Sequence, residues 1–144
     1  MTIISTTSDR DLTPLNSHLL QFSREMPQIP EESFLRYPNR WFLGSRDGCS
    51  CAFRHLGRGS THLGFAGPED WWPEEPDELE ATLQIHAAFT SIVSTGQALD
   101  CIDAWTSDQL DPQLAGELRV NLAQMPASSF RLFADHRFEL THQD

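Results

Sequence analysis

The Asp47-Gly48 dipeptide, flanked by short aromatic and apolar runs, is the strongest constraint on how this chain can fold. Asp-Gly favours a two-residue type I′ turn, because both central residues of that turn need positive φ. The pattern therefore predicts a β-hairpin over residues 40–56 in which Gly44 faces Cys51. Large apolar side chains would lie on both faces of this hairpin, which is typical of the interior of a covered sheet.

Two helices are predicted from apolar spacing. Residues 77–94 carry apolar side chains at helical intervals and acidic residues in the first turn, where the helix macrodipole favours them. We expect Leu83, Phe89 and Val93 to be buried against a sheet. A first helix is predicted over residues 13–25, which begin near a proline and repeat at helical spacing through Leu15, Leu19, Phe22 and Met26.

Alternating and β-branched residues predict further strands over residues 2–7, 98–106, 117–124 and 137–141. The order strand, helix, hairpin, helix, strand is that of a ferredoxin-like βαββαβ sandwich. The C-terminal strands would extend its antiparallel sheet. Since 144 residues is the size of one ordinary domain and no linker divides the chain, residues 1–144 are interpreted as a single α+β domain.

Charge is distributed unevenly along the chain. The net charge is −11, yet residues 59–118 hold twelve acids and no Lys or Arg, which makes that segment alone −12. Such a segment argues against binding to nucleic acid or to anionic lipid through its surface. A basic protein partner is the functional interpretation of this segment, and the alternative is that the charge serves solubility only.

Residues 68–80 hold the candidate partner-binding site. An adjacent pair of tryptophans lies there among acidic residues, a composition that resembles interface hot spots. The candidate residues are Glu69, Asp70, Trp71, Trp72, Glu74 and Glu75. The alternative is a loop that folds its indoles onto the sheet as a lid.

The Cys49-x-Cys51 pair is a second candidate site. With His62 from the following Gly-rich loop, the two thiols could supply three ligands of a zinc site, since zinc prefers Cys and His ligands. Alternatively the thiols could form a redox pair. Free cysteines that behave as small buried apolar groups are the third interpretation.

Other signals narrow the class of protein. No apolar run is long enough for a transmembrane helix and no signal peptide is recognised, so a cytoplasmic protein is expected. No nucleophile, phosphate-loop or dinucleotide motif is present, which favours a non-enzymatic role. His86 and Asp103 could form an acid–base couple only if they met, and a hydrogen-bonded core histidine is the alternative for His86.

The sequence as a whole favours a small acidic domain that contacts a basic partner through residues 68–80, as an inhibitor or immunity-type protein would. The alternative is a metal- or thiol-dependent protein centred on Cys49 and Cys51, with zinc as the candidate metal.

Overall fold

A computed structural model describes residues 1–46, 48–105 and 113–144. They form a six-stranded, mostly antiparallel sheet with one α-helix, and a separate two-stranded sheet. The strands are β1 (Thr2–Thr6), β2 (Leu20–Ser23), β3 (Asn39–Ser45), β4 (His55–Leu56), β5 (Leu99–Asp103), β6 (Gly116–Asn121), β7 (Leu132–Phe133) and β8 (His136–Thr141), and the helix is α1 (Pro76–Val93). Short 3-10 helices lie at Thr13–Leu15, Pro30–Phe34, Arg58–Leu63, Leu122–Gln124 and Ala127–Ser129.

The larger sheet has the strand order β2-β3-β1-β5-β8-β6, and the smaller sheet pairs β4 with β7 in parallel. Every residue of β1 and β5 is buried, so these two strands form the centre of the fold. The main core lies between the sheet and α1, while the other face carries a smaller apolar cluster that includes Ile3, Leu35 and Ile102. Both faces of the central strands are therefore covered.

Helix α1 confirms the prediction over residues 77–94, although its buried face differs in one position. Phe89 is fully buried and Val93 nearly so, as expected. Leu83 is 36% exposed, so the expectation that it is buried is wrong. The smaller Ala81, Thr82 and Ala88 share the buried side of the helix with Phe89. No helix among the described residues is long and apolar enough to cross a membrane.

The helix predicted over residues 13–25 is wrong. A single 3-10 turn forms at Thr13–Leu15, and β2 follows with Leu20 and Phe22 buried and Gln21 exposed. Two sets of hydrogen bonds stabilise the strand. Antiparallel pairing with β3 satisfies its backbone, and the side-chain amide of Asn16 both accepts from Phe22 N at 2.6 Å and donates to Phe22 O at 3.2 Å.

The hairpin predicted over residues 40–56 is also wrong. Its first strand is β3, but β1 and β2 occupy the two edges of β3 and leave no edge for a returning strand. Pairing therefore stops at a hydrogen bond from Ser45 N to Cys49 O, and Gly44 has no strand partner at Cys51. Asp47 lies outside the described residues, while Gly48 has the positive φ of 77° that glycine favours.

The ferredoxin-like order is not confirmed, since that sandwich needs two helices and the described residues form one α-helix. The strands predicted at residues 2–7, 98–106, 117–124 and 137–141 correspond to β1, β5, β6 and β8, although Thr106 lies outside the described residues. Strand β8 extends the sheet antiparallel to β5 as expected, whereas β6 joins it in parallel.

Candidate functional site

A tight turn presents the first of the two adjacent tryptophans to solvent. Trp72 N donates to Glu69 O at 3.1 Å, and these two residues form an isolated antiparallel bridge. Asp70 and Trp71 therefore lie at the tip, where Trp71 is 64% exposed. Trp72 is half-buried and packs on the main core. One indole thus packs on the core, and the other is exposed to solvent.

A buried ion pair fixes this loop to the rest of the fold. Glu74 Oε2 accepts from Arg54 Nε at 2.8 Å, and both side chains are almost fully buried, at 6% and 2% exposure. The same guanidinium donates to the carbonyl oxygens of Ala66, Ser128 and Phe130. Glu74 is therefore an anchor of the loop as well as a member of the acidic segment.

A second arginine from outside the acidic segment neutralises part of its charge. Arg46 donates to Glu75 at 2.8 Å and also to Asp77. Arg46 and Arg54 both belong to residues 40–56, which were predicted to form the hairpin. The charge count of residues 59–118 therefore gave no sign that arginines would neutralise this segment. Among the described residues, no arginine is paired with the four remaining acids of this segment, which are Glu69, Asp70, Glu78 and Glu80.

Two aromatic residues that the sequence analysis did not include lie beside this loop. The ring of His55, in β4, lies 4.8 Å from that of Trp105, centroid to centroid, at 31° between planes. His55 Nδ1 lies 2.9 Å from Phe53 O, so it carries the proton and donates to that carbonyl. Trp105 is 48% exposed, and its backbone N–H is held by Asp135 Oδ1 at 2.8 Å. Since 17 to 33 residues separate these rings from Trp72 in the sequence, no local pattern could have grouped them.

A cavity of about 350 Å³ joins the two groups of aromatic residues. His55, Trp72, Pro73, Glu74 and Glu78 line it. Burial raises the pKa of the Glu78 carboxyl, and the negative charges of Glu75 and Glu74 add to that effect. Glu74 Oε1 is buried and has no hydrogen-bond partner. The nearby His55 opposes the rise in the pKa of Glu78, and two carboxylates and one imidazole line the cavity.

We define the acidic–aromatic surface as these neighbouring groups taken together. Its members are His55, Glu69, Asp70, Trp71, Trp72, Glu74, Glu75, Glu78 and Trp105. All six partner-binding residues expected from the sequence belong to it, with Glu74 mostly buried and Trp72 half-buried. Carboxylates beside indole faces are the chemical groups that bind cations, through ion pairing and through cation–π attraction.

The second candidate site, at Cys49 and Cys51, contains a disulfide between these two residues. His62 is exposed on the 3-10 helix Arg58–Leu63. No three His, Cys, Asp or Glu side chains within residues 1–46, 48–105 and 113–144 are grouped to hold a metal ion. A zinc site would need both sulfurs as thiolates, so it requires the reduced form and stays a prediction.

The structure assigns separate partners to the remaining titratable candidates. His86 Nε2 is 3.2 Å from Met125 O, and burial lowers the pKa of this half-buried imidazole. The Asp103 carboxylate accepts from Thr2 Oγ1 at 3.2 Å, and its burial raises its pKa. His86 is thus the hydrogen-bonded core histidine that was the alternative to an acid–base couple.

Comparisons with protein-family models, with curated proteins and with solved structures find no match for this chain.

Proposed function

We propose that this protein binds a basic protein partner through the acidic–aromatic surface, as an inhibitor or immunity-type protein would. The observation that carries the proposal is the exposure of Trp71, at 64%, beside carboxylates that have no arginine partner among the described residues. A large indole held in solvent by a structured turn leaves apolar area unburied. Burial of such an indole in a partner is the usual source of binding energy at an interface hot spot.

Charge supports a basic rather than an acidic or neutral partner. Five of the seven acids between residues 69 and 80 are exposed, and only three of the seven are paired with arginine. Such an excess attracts a cationic surface from a distance and speeds its association. It repels nucleic acid and anionic lipid, whose phosphates carry the same sign.

The cavity beside Trp72 supports a more specific contact with an arginine or lysine side chain. Its volume of about 350 Å³ lies at the low end of the roughly 300–1,000 Å³ of small-ligand sites. A cationic side chain would compensate the charge of Glu78, which lines the cavity. A guanidinium is the better fit, because it stacks on an aromatic face while donating to carboxylates.

The test is capture of partners from source-cell extract by the wild-type chain and by Glu69→Lys/Asp70→Lys. Both acids are exposed and neither is paired with an arginine of the described chain, so the reversal spares the Arg46 and Arg54 ion pairs. We expect the wild-type chain to retain a basic protein at low salt and the variant to lose most of it, mainly through slower association.

The matched control is Asp9→Lys/Asp144→Lys, which changes the net charge by the same amount at exposed positions. These residues lie towards the other end of α1: Arg10 donates to Ser91, and Gln143 shares a cavity with Val93. The control should retain the partner. Equal capture by all three proteins, or capture that is unaffected by salt, would contradict binding through this surface.

A further inference from the structure

The Cys49–Cys51 disulfide lies in the loop after β3 and is accessible from solvent. Cys51 is exposed and Cys49 is half-buried. Cys101 provides a contrast, because it is buried in the core and burial raises the pKa of its thiol well above its usual value. Thiol chemistry with an external reactant is therefore open to the first two cysteines and closed to the third.

The two sulfur atoms have different surroundings. Cys49 Sγ accepts from Cys51 N at 3.2 Å and lies 4.0 Å from Ser45 Oγ. The Ser45 hydroxyl oxygen accepts from Ala52 N at 3.3 Å, which leaves its proton available to the Cys49 sulfur. Hydrogen-bond donors favour the charged form of the group that accepts them, so they favour a thiolate at Cys49.

The backbone around the pair is held independently of the disulfide. Ser50, between the two cysteines, donates from its hydroxyl to Leu43 O at 2.7 Å and accepts from Thr2 N at 2.7 Å. These bonds attach the loop to β3 and to the central strand β1. These bonds do not involve either sulfur atom, so they can hold the loop in both the disulfide and the dithiol form, as a reversible pair requires.

We propose that Cys49 and Cys51 form a redox-active pair that exchanges electrons with a peptide or protein dithiol. This activity is separate from the proposed partner binding. A substrate thiolate attacks the exposed Cys51 Sγ, and the bond between the two Sγ atoms breaks. The electron pair of that bond leaves on Cys49 Sγ, whose thiolate is stabilised by the donors of Cys51 N and Ser45 Oγ.

The second thiolate of the same substrate completes the exchange. It attacks the substrate sulfur of the mixed disulfide, and Cys51 leaves as a thiolate. The substrate dithiol thereby loses two electrons and two protons and becomes a disulfide, while Cys49 and Cys51 become two thiols. The reverse sequence, with Cys51 as the attacking thiolate and Cys49 as the resolving one, reduces a substrate disulfide.

The first test uses the wild-type chain equilibrated in glutathione buffers of graded redox poise. The fraction of protein in which both Cys49 and Cys51 are free is measured by maleimide labelling of the folded chain, in which Cys101 is buried, and by intact mass. We expect a single two-electron transition between the disulfide and the dithiol, without a stable glutathione adduct. Adducts that persist without closing the disulfide, or two thiols that stay free across all buffers, would overturn the proposal.

The second test assigns the roles of the two sulfurs. Reduced Cys49→Ser should accumulate a glutathione mixed disulfide at Cys51 at least about tenfold more than the wild type, because the resolving thiol is lost. In a Cys51→Ser background, Ser45→Ala should raise the pKa of the Cys49 thiol, measured from the pH dependence of its alkylation. An unchanged pKa, or equal adduct in both proteins, would overturn the assigned mechanism. Circular dichroism checks that each variant is folded.

Metal binding is the competing outcome for the same residues. Reduced wild-type protein is incubated with Zn²⁺, desalted and analysed for metal content. We expect no stoichiometric zinc. One tightly held ion that protects both thiols from maleimide would overturn the redox proposal in favour of a metal site.

Discussion

Trp71 and Trp72 are neighbours in the sequence but have different physical roles, which substitution should separate. Trp71 is 64% exposed and Trp72 packs on the core. We expect Trp71→Ala to change the free energy of unfolding by less than about 0.5 kcal/mol, since little area is lost from the core. Trp72→Ala should cost more than about 1 kcal/mol. Urea unfolding checks both, and equal costs would contradict the assignment of Trp71 to a contact surface.

Arg54 shows how burial determines the importance of an ion pair. Its partner Glu74 and three backbone carbonyl oxygens would all lose a donor in Arg54→Ala. We expect a loss of about 3–5 kcal/mol in the free energy of unfolding, because a buried carboxylate would be left unpaired.

The matched control for Arg54 is Arg36→Ala. Arg36 pairs with Glu117 at 3.0 Å, but both side chains are about half exposed, at 56% and 49%. Water already solvates such a pair, so the cost should stay below about 1 kcal/mol. Chemical denaturation of the two variants compares them directly, and similar losses would mean that burial does not govern these interactions.

At the scale of elements, α1 carries a prediction that corrects the expectation from sequence. Phe89 is fully buried and contacts the Phe130 ring edge-on at 6.3 Å between centroids, whereas Leu83 is 36% exposed. Phe89→Ala should therefore cost about 3–5 kcal/mol, through lost apolar burial and the cavity that remains. Leu83→Ala should cost less than about 1 kcal/mol. Thermal and urea unfolding measure both costs. A larger cost for Leu83→Ala would contradict the exposed position of Leu83 in the structure.

The loop before β2 shows how one element can be determined by another. Residues 13–25 have the spacing of a helix, yet the backbone of β2 pairs with β3, which is already fixed against β1. The energy of that pairing, together with the Asn16 hydrogen bonds to Phe22, outweighs a weak local propensity. The same pairing removes the edge that the predicted hairpin required.

At the scale of the whole molecule, the buried acids determine how stability depends on pH. Burial raises the pKa of Glu31, Asp100 and Asp103. When the pKa of a group is higher in the folded state than in the unfolded state, the folded state binds more protons at any pH between the two pKa values. Each such group therefore lowers stability as the pH rises from the ordinary carboxyl pKa through the raised one.

Glu31 is the clearest case, because it is 2% exposed and neither of its carboxylate oxygens has a hydrogen-bond partner among the described residues. The negative charge of Asp135 adds to the effect of burial on its pKa. We expect Glu31→Gln to raise the free energy of unfolding more at pH 7 than at pH 4, where the wild-type carboxyl is protonated. Urea unfolding at both pH values measures the difference, and an equal effect at the two would refute the assigned pKa direction.

Several features of this protein followed from sequence alone, because their causes are local. The apolar stripe and acidic first turn of α1 lie within one segment, and so do the β-branched residues of β1. The concentration of acids between residues 69 and 80 is likewise a property of the segment itself.

Only the tertiary structure decided what surrounds those residues. Arg46 and Arg54 neutralise acids 20 to 31 residues away. His55, in β4, and Trp105, just after β5, join the surface from segments that are distant in sequence. Strand β3 pairs with β1 and β2 rather than with the segment that follows it. In each case the stabilising partner is distant in sequence. Local periodicity cannot predict such a partner, because the two segments come into contact only when the chain folds.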